Sequence, residues 1–202
     1  MRRRQHGDAG QAFPIYMMMV AGLLFLALAF FAVGKASALR NGSQGAADAA
    51  ALAAAQKARD NFGTGFYASL GPNKLDVFLA AGFDAPCYEA SRLAAANDAR
   101  KTSCYETPGY LRDRITVEVE GLKAVNSSVL PGSENKKAKG KATALIEFRC
   151  PNPIAVDSNS DGFMDLFTFT CRNGEVLAIA PASPPPWETV SRTLFDVRLV
   201  DQ

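Results

Sequence analysis

The chain has 202 residues, which is enough for one modest domain and an anchor but too few for two full domains. Its net charge is +2, so no overall field favours nucleic acid or another strongly charged partner. The single histidine, His6, lies in the N-terminal tail, which excludes histidine-dependent triads and metal sites from the rest of the chain. The sequence therefore predicts neither an enzyme nor a nucleic-acid-binding protein.

An uncharged stretch runs from Ala9 to Gly34, and its strongly apolar part, Phe13 to Val33, is 21 residues long. As a helix this part measures about 31 Å, which matches a hydrocarbon core of about 30 Å. Three arginines precede the stretch and two basic residues follow it, a bias that places the amino terminus in the cytoplasm. The sequence thus predicts a basic cytoplasmic tail at 1–12 and a single-pass transmembrane helix at 13–34, with the rest of the chain outside the cytoplasm.

Two other interpretations of the apolar stretch remain open. Ala36-Ser37-Ala38 has the small-residue pattern of a signal-peptidase site, so the stretch also fits a cleaved secretory signal. Its length, however, exceeds the usual apolar region of about 7–15 residues in such signals. The second alternative is a buried core helix of a soluble protein, for which an uncharged run of this length is unusual.

An alanine-rich segment follows the apolar stretch and predicts a junction helix over residues 35–61. Nine of the 13 residues from Ala46 to Ala58 are alanine, the best helix former, which leaves little bulk to bury. Such a helix either stands in solvent or packs very closely against another helix. Gly42 and Gly45 indicate a hinge at its start.

The amino-terminal residues carry a family resemblance. Gly10-Gln11-Ala12-Phe13 leads into the apolar helix, which is followed by Gln44-Gly45-Ala46-Ala47-Asp48-Ala49-Ala50-Ala51-Leu52-Ala53-Ala54-Ala55. Together these segments resemble the amino terminus of TadE/TadG-like proteins of tight-adherence (Tad, Flp-type) pilus assembly systems. The resemblance covers residues 1 to about 60. It implies an envelope protein that assembles with, or anchors, a surface fibre, and whose N-terminal helix contacts the lipid bilayer and other pilus or envelope subunits.

The same resemblance bears on processing. Prepilins of this class are cut after a glycine, with a glutamate five residues further on. Gly10 fits the glycine, but Ile15 stands at the fifth position and the apolar segment contains no acidic residue. The pattern therefore favours an uncut, TadG-like state over cleavage after Gly10.

Residues 62–202 predict a small extracytoplasmic α+β domain. The glycine and proline content of 62–72 indicates a loop, followed by a short helix that begins near Asn73 and a second helix over 89–100. Alternating apolar and polar residues then predict a mostly antiparallel sheet with one solvent-exposed face. Its five strands are expected at residues 114–120, 141–150, 166–171, 176–180 and 193–200.

Two further segments of this domain have an expected role. The lysine run from Lys136 to Lys141 predicts a solvated loop between two strands, with contact to anionic polymers or lipid headgroups as the alternative. Trp187, which follows three prolines, is expected to fill the core rather than to form a ligand platform.

Four cysteines lie beyond the predicted transmembrane helix: Cys87, Cys104, Cys150 and Cys171. Nearness in sequence pairs the first two and the last two, one of three possible connectivities. Each pair closes a loop of about 20 residues and contributes roughly 3 kcal/mol in the chain-entropy model. A metal or redox site is disfavoured because the chain has no C-x-x-C motif and no histidine in this region.

One loop resembles the front of a calcium-binding loop, in which alternate side chains converge on one cation. Oxygen ligands stand at positions 1, 3, 5 and 9, with glycine at position 6. These candidate ligands are Asp157, Asn159, Asp161 and Asp165. Thr168 replaces the bidentate acid expected at position 12, so the predicted affinity is only millimolar. The alternative is a turn rich in Asp, Asn, Ser and Gly that needs no metal; no cofactor is predicted to be required.

These features favour a structural or assembly component of a Tad-type pilus or related cell-envelope system, anchored in the cell membrane with an outward-facing, disulfide-stabilised domain. The alternative is a membrane-tethered, calcium-stabilised adhesion or binding module. An exported hydrolase is the third class. The sequence disfavours it because the chain contains no G-x-S-x-G, no H-E-x-x-H and no histidine-supported nucleophile.

Overall fold

The computed structural model describes residues 12–124 and 135–201, so the basic tail and the candidate cleavage position at Gly10 lie outside the described residues. A single helix, α1, occupies Ala12–Asn61, and its 50 residues span about 75 Å. It runs unbroken through Gly42 and Gly45. The hinge expected from these two glycines is therefore wrong: glycine in mid-helix costs only about 1 kcal/mol, and the alanines around it favour helix.

Four shorter helices and seven strands follow within the described ranges. The helices are α2 Gly63–Leu70, α3 Leu75–Ala80, α4 Cys87–Ala96 and α5 Trp187–Leu194. The strands are β1 Ala99–Thr107, β2 Arg112–Ala124, β3 Lys137–Phe148, β4 Ile154–Val156, β5 Leu166–Thr170, β6 Val176–Ile179 and β7 Phe195–Val200. The predicted α+β architecture, a long N-terminal apolar helix followed by a small domain with a mostly antiparallel sheet, is confirmed.

The strands form two antiparallel sheets, with orders β1-β2-β3-β7 and β4-β5-β6. The long pair β2 and β3 forms the centre of the larger sheet, with Ile115 opposite Ala144 and Val117 opposite Ala142. Successive side chains point to opposite faces, so the apolar positions of both strands share one buried face. The C-terminal part of α1 lies against this face.

The long helix has two different halves. We call residues 13–34 the apolar half and residues 43–58 the alanine half. Seven alanines of the alanine half are at most 2% exposed: Ala46, Ala47, Ala50, Ala51, Ala54, Ala55 and Ala58. They pack against β2, β3 and α4, so the alanine half neither stands in solvent nor packs only on a helix, which corrects that expectation. Methyl side chains allow the helix backbone to lie close to the sheet.

The predicted loop at 62–72 is wrong, because this segment contains α2. The two glycines of α2 make room for aromatic rings. A Cβ on Gly63 would lie 2.9 Å from Cγ of Trp187, and one on Gly65 would lie 3.0 Å from the ring of Phe78. Trp187 is half-buried against these residues, as expected of a side chain that fills the core.

Three other boundaries differ from the prediction. The second predicted helix ends at Ala96 rather than at residue 100, because Asp98 has φ 54° and the chain turns there into β1. From Lys137 onward the lysine run belongs to β3, whose pairing with β2 extends to Lys137, so the predicted loop is wrong there. The last strand begins at Phe195 because α5 occupies the preceding residues.

Two disulfides join the cysteines in the same pairs that nearness in sequence favoured. Cys87–Cys104 connects α4 to β1. Cys150–Cys171 connects the end of β3 to the end of β5 and so links the two sheets. Because the second sheet has only three short strands, this covalent link helps to hold it against the larger sheet.

Candidate functional site

A polar side chain joins the start of the alanine half to β3. Gln44 Nε2 donates to the carbonyl oxygen of Lys141 at 2.8 Å, and the Lys141 amide donates to Gln44 Oε1 at 3.4 Å. Gln44 thus pairs with the β3 backbone as a neighbouring strand would. Its Nε2 also donates to Asp48 Oδ1 at 2.9 Å, one helical turn further on, and this second bond orients the amide.

The helix approaches the sheet most closely one residue earlier. Ser43 Oγ donates to the carbonyl oxygen of Ala138 at 3.2 Å, and Ser43 is only 5% exposed. A Cβ on Gly140 would lie 2.2 Å from the Ser43 carbonyl oxygen, and one on Gly121 would lie 2.7 Å from Ser43 Oγ. Real Cβ atoms do not approach a backbone oxygen so closely, so β3 needs glycine at residue 140, where the helix crosses it. At Gly121 the Ser43 side chain would have to shift to admit a Cβ.

We call Ser43, Gln44, Asp48, Gly121 and Gly140 the helix–sheet junction. Its groups form hydrogen bonds and close contacts, and they include no nucleophile paired with a base. The junction fixes the helix to the domain at a set distance and rotation. These contacts connect the long helix to both central strands of the larger sheet.

The apolar half of α1 has the opposite character, because its large side chains are exposed. Met18 is 79% exposed, Phe30 74% and Phe31 73%. This part of α1 contains an 18-residue stretch that is strongly apolar and almost wholly exposed. Within the described part of the chain this is the one helix long and apolar enough to cross a membrane, which fits a single-pass membrane protein.

A buried carboxylate in the larger sheet was not expected from the sequence. The Glu147 side chain of β3 is 6% exposed and pairs with Arg112 at 2.9 Å, Arg172 at 2.6 Å and Arg198 at 2.9 Å. Burial alone would raise the pKa of Glu147, but hydrogen bonds from the three arginines outweigh it and lower the pKa to about 2. The cluster joins β2, β3, β7 and the segment after β5.

The candidate calcium loop directs most of its side-chain oxygens at its own backbone. Asp157 Oδ2 accepts from the Gly162 amide at 2.9 Å, Asp161 Oδ1 from the Phe163 amide at 2.8 Å, and Asn159 Oδ1 from the Asp161 amide at 3.0 Å. These bonds are typical of a turn that is stable without metal.

The fourth candidate ligand, Asp165, accepts hydrogen bonds from both the amide and the hydroxyl of Ser158, which lower the pKa of its carboxyl. Thr168, at position 12 of the loop, lies in β5 opposite Ile154. Over residues 12–124 and 135–201, no three His, Cys, Asp or Glu side chains are grouped to hold a metal ion. One oxygen of the loop differs from the hydrogen-bonded ones: Asp157 Oδ1 is buried and has no hydrogen-bond partner among the described residues.

Comparison with known proteins gives one match. Residues 10–57 match a family model described as putative Flp pilus-assembly TadE/G-like. No curated protein and no solved structure matches the chain. The matched range includes most of α1 and the junction residues Ser43, Gln44 and Asp48, and the resemblance read from residues 44–55 is confirmed. From residue 10 to residue 57, therefore, the chain is similar to the TadE/TadG-like family of Flp pilus assembly.

Proposed function

We propose that this protein is a membrane-anchored structural or assembly component of a Tad-type pilus or a related cell-envelope system. The observation that carries the proposal is the unbroken helix α1, whose exposed apolar half continues directly into the core of the folded domain. The family match covers the whole apolar half of this helix and all but the last residue of the alanine half. In our proposal the apolar half crosses the cell membrane once and contacts other subunits, while the domain presents the rest of the chain to them.

The proposed role is non-enzymatic. The matching family is one of pilus assembly, and the sequence motifs of the common hydrolases are missing from the chain. The polar groups of the helix–sheet junction are engaged with one another or with backbone, which suits a structural connection. We expect loss of the protein to change assembly or attachment rather than the turnover of a substrate.

Two features support a cytoplasmic amino terminus and an external domain: the basic residues before the apolar half, and the two disulfides, which form in oxidising compartments. Cysteine labelling tests this orientation, since the chain has no free native cysteine. A Glu188→Cys variant, changed at a side chain that is 75% exposed, should react with a membrane-impermeant maleimide on intact spheroplasts. Gln5→Cys in the tail should react only after permeabilisation, and the reverse pattern would contradict the orientation.

Anchoring and processing are tested on the native protein. We expect the full chain to fractionate with membranes and to resist carbonate extraction, and recovery of a shortened, soluble secreted form would contradict anchoring. Mass spectrometry of the amino terminus then distinguishes the intact chain from cleavage after Gly10 or after Ala38. An intact terminus fits an anchor, and a cut after Gly10 fits a processed pilin.

Assembly and adhesion are separated by removing the outer domain and comparing the cells. Loss of pili supports the assembly role. Intact pili with lost surface attachment would support the adhesion module instead. Cross-linking sharpens the comparison: a photoreactive residue in place of exposed Phe30 should capture another pilus or envelope subunit, whereas one in place of exposed Val176, on β6, should not.

The second candidate is a calcium-stabilised module, and the buried, unpartnered Asp157 Oδ1 favours it. In this proposal calcium binds the loop formed by residues 157–165 with low affinity. Millimolar calcium should then raise the Tm of the full-length protein relative to EDTA, magnesium should not, and Asp161→Asn should remove the increase. Equal Tm values in calcium and EDTA would contradict calcium binding and support a metal-free turn.

A further inference from the structure

A cavity of about 190 Å³ opens beside the C-terminal end of α1. Most of its lining is aromatic or aliphatic: four phenylalanines and Leu79, from α3, β7 and the segments around Phe62 and Phe83. A single charged side chain, Asp113 of β2, completes the lining. An apolar pocket with one convergent polar group is the usual form of a small-ligand site.

The four phenylalanine rings that line the cavity are inclined to one another rather than stacked. Phe62 stands at the centre, with its ring centroid 6.0 Å from Phe78, 5.1 Å from Phe83 and 5.6 Å from Phe195. The three interplanar angles to Phe62 are 87°, 71° and 62°, so the other three rings are steeply inclined to Phe62 and not stacked on it. A cation is attracted to the negative face of an aromatic ring, and several rings around one cavity add to this attraction.

Asp113 supplies a negative charge at an unusual place. It lies on the face of β2 that also carries Ile115 and Val117, both buried, so this carboxylate points to the apolar side of the sheet. Burial is the largest influence on its pKa; together with the neighbouring charge of Glu106 it raises the pKa to about 6, against the hydrogen bond from the Gly109 amide. A carboxylate in such a setting is stabilised by a nearby cation.

The second acid, Glu106 of β1, adds to the negative potential. Its carboxylate accepts hydrogen bonds from the Phe83 amide at 3.2 Å, on the segment that lines the cavity. Among the ion pairs of the described residues, none includes Asp113 or Glu106. Two acidic side chains without an ion-pair partner in that part of the chain, beside four aromatic rings, favour a cationic ligand.

The hydrogen-bonding capacity of the cavity selects the kind of cation. A primary ammonium group has three N–H donors to satisfy. Asp113 is the one charged lining group, and its Oδ1 already accepts from the Gly109 amide at 3.1 Å. A quaternary ammonium group has no N–H donor and needs only charge and aromatic contact. We propose that this cavity binds a quaternary alkylammonium group, such as the trimethylammonium of choline or of a betaine.

The position of the cavity limits the source of this group. Phe62 follows the end of α1, and the 28 residues from Gly34 to Asn61 span about 42 Å of helix. If the apolar half is anchored as proposed above, headgroups of that membrane lie out of reach. The ligand is then a solute or belongs to another surface, while the binding itself does not depend on the anchoring.

Titration of the full-length protein with choline tests the proposal. The protein is placed in phosphatidylglycerol nanodiscs, which contain no choline headgroup, and binding is followed by calorimetry and by the fluorescence of Trp187, whose ring lies 6.0 Å from Phe195. The control ligand is 3,3-dimethylbutan-1-ol, a neutral molecule of the same shape. We expect saturable choline binding and at least about tenfold weaker binding of the neutral control. No choline binding, or equal binding of the two ligands, would overturn the proposal.

Two variants locate the site. Asp113→Asn should weaken choline binding about tenfold or more, whereas Asp84→Asn, at an exposed acid next to the lining segment, should leave it unchanged. Phe83→Leu should weaken it by removing one aromatic wall, and circular dichroism checks that each variant folds. Choline affinity of the wild type should rise as the pH rises through about 6, and that rise should be lost in Asp113→Asn. Unchanged choline affinity in Asp113→Asn would place the ligand elsewhere and overturn the assignment.

Discussion

The two halves of α1 belong to one helix but differ in the size and the exposure of their side chains. The apolar half exposes bulky side chains, of which Met18 and Phe30 are more than 70% exposed. The alanine half buries seven methyl groups against the sheet. Bulk on all sides suits a fluid hydrocarbon environment, whereas small side chains on one side suit a rigid protein surface at close distance. Side-chain size thus distinguishes the two environments along a single continuous element.

Lowering the pH should have the largest effect of the changes considered, because it should unfold the domain and leave the apolar half helical. The folded-state pKa of Glu147 is about 2, below its ordinary value of 4.5. The contribution of the ionised carboxylate to the free energy of unfolding is therefore complete above pH 4.5 and is lost as the pH falls towards 2. The contribution is roughly 3 kcal/mol at most. The apolar half contains no acidic or basic residue and should stay helical. Tryptophan fluorescence should report unfolding of the domain while far-ultraviolet circular dichroism retains the helix signal.

Two glutamate variants check this assignment. Glu147→Gln should destabilise the domain at neutral pH and flatten the pH dependence below 4.5, because three arginines lose their carboxylate partner. Glu188→Gln, at a side chain that is 75% exposed, should behave like the wild type. An unchanged acid transition in Glu147→Gln would show that another group controls it.

The same substitution placed in each half should give different results. Ala54 is 0% exposed, so Ala54→Leu forces extra methyl groups between helix and sheet and should cost about 1–3 kcal/mol of folding free energy. Ala21→Leu lies in the exposed apolar half and should cost nothing. Thermal or urea unfolding of the full-length proteins in one detergent measures the difference. Equal stability of the two variants would contradict close packing of the alanine half.

Glycine-to-alanine changes sharpen the comparison at the junction. Gly140→Ala places a Cβ 2.2 Å from a backbone oxygen of Ser43, which cannot rotate away, so the domain should lose about 2 kcal/mol. Gly45→Ala has no atom within 4 Å of the new Cβ and should stabilise the helix by about 1 kcal/mol. Unfolding experiments should therefore shift in opposite directions. A neutral Gly140→Ala would contradict the tight crossing.

The smallest expected effect concerns the polar pairing of the helix with β3. Gln44→Ala removes the hydrogen bonds to the Lys141 backbone and should cost about 1 kcal/mol, since water replaces them at this exposed position. Gln56→Ala, at an exposed glutamine of the same helix, is the matched control and should be neutral. If both variants unfold at the same denaturant concentration, the junction depends on packing alone.

Local sequence predicted those parts of the fold in which neighbouring residues determine the structure. The apolar run and the alanine-rich segment predicted α1, and the alternation of Ile115, Val117 and Val119 predicted β2. The helix α2 was missed because Gly63 and Gly65 were interpreted as loop residues, although they make room for rings from distant segments. The edge strand β1 was missed because it carries few large apolar residues, so its pattern shows no clear alternation.

The sequence did not predict the helix–sheet junction. Gln44 and Asp48 belong to the segment that carried the family resemblance. The partner of Gln44, however, is the Lys141 backbone, which lies 97 residues away, and no local sequence pattern indicates this contact. The Glu147 cluster likewise joins arginines that are separated by up to 86 residues. Such contacts depend on strand register and topology, which single-sequence patterns do not specify.

Between Gly34 and Ser43, α1 is a continuous helix that connects the apolar half to the alanine half. No large side chain of this stretch is buried. The stretch nevertheless sets how the domain is turned about the helix axis, because the helix is continuous through it. Adding one residue to it would rotate the domain by about 100° and raise it by about 1.5 Å relative to the apolar half. The number of residues in this stretch therefore sets how the domain is turned about the helix axis relative to the apolar half.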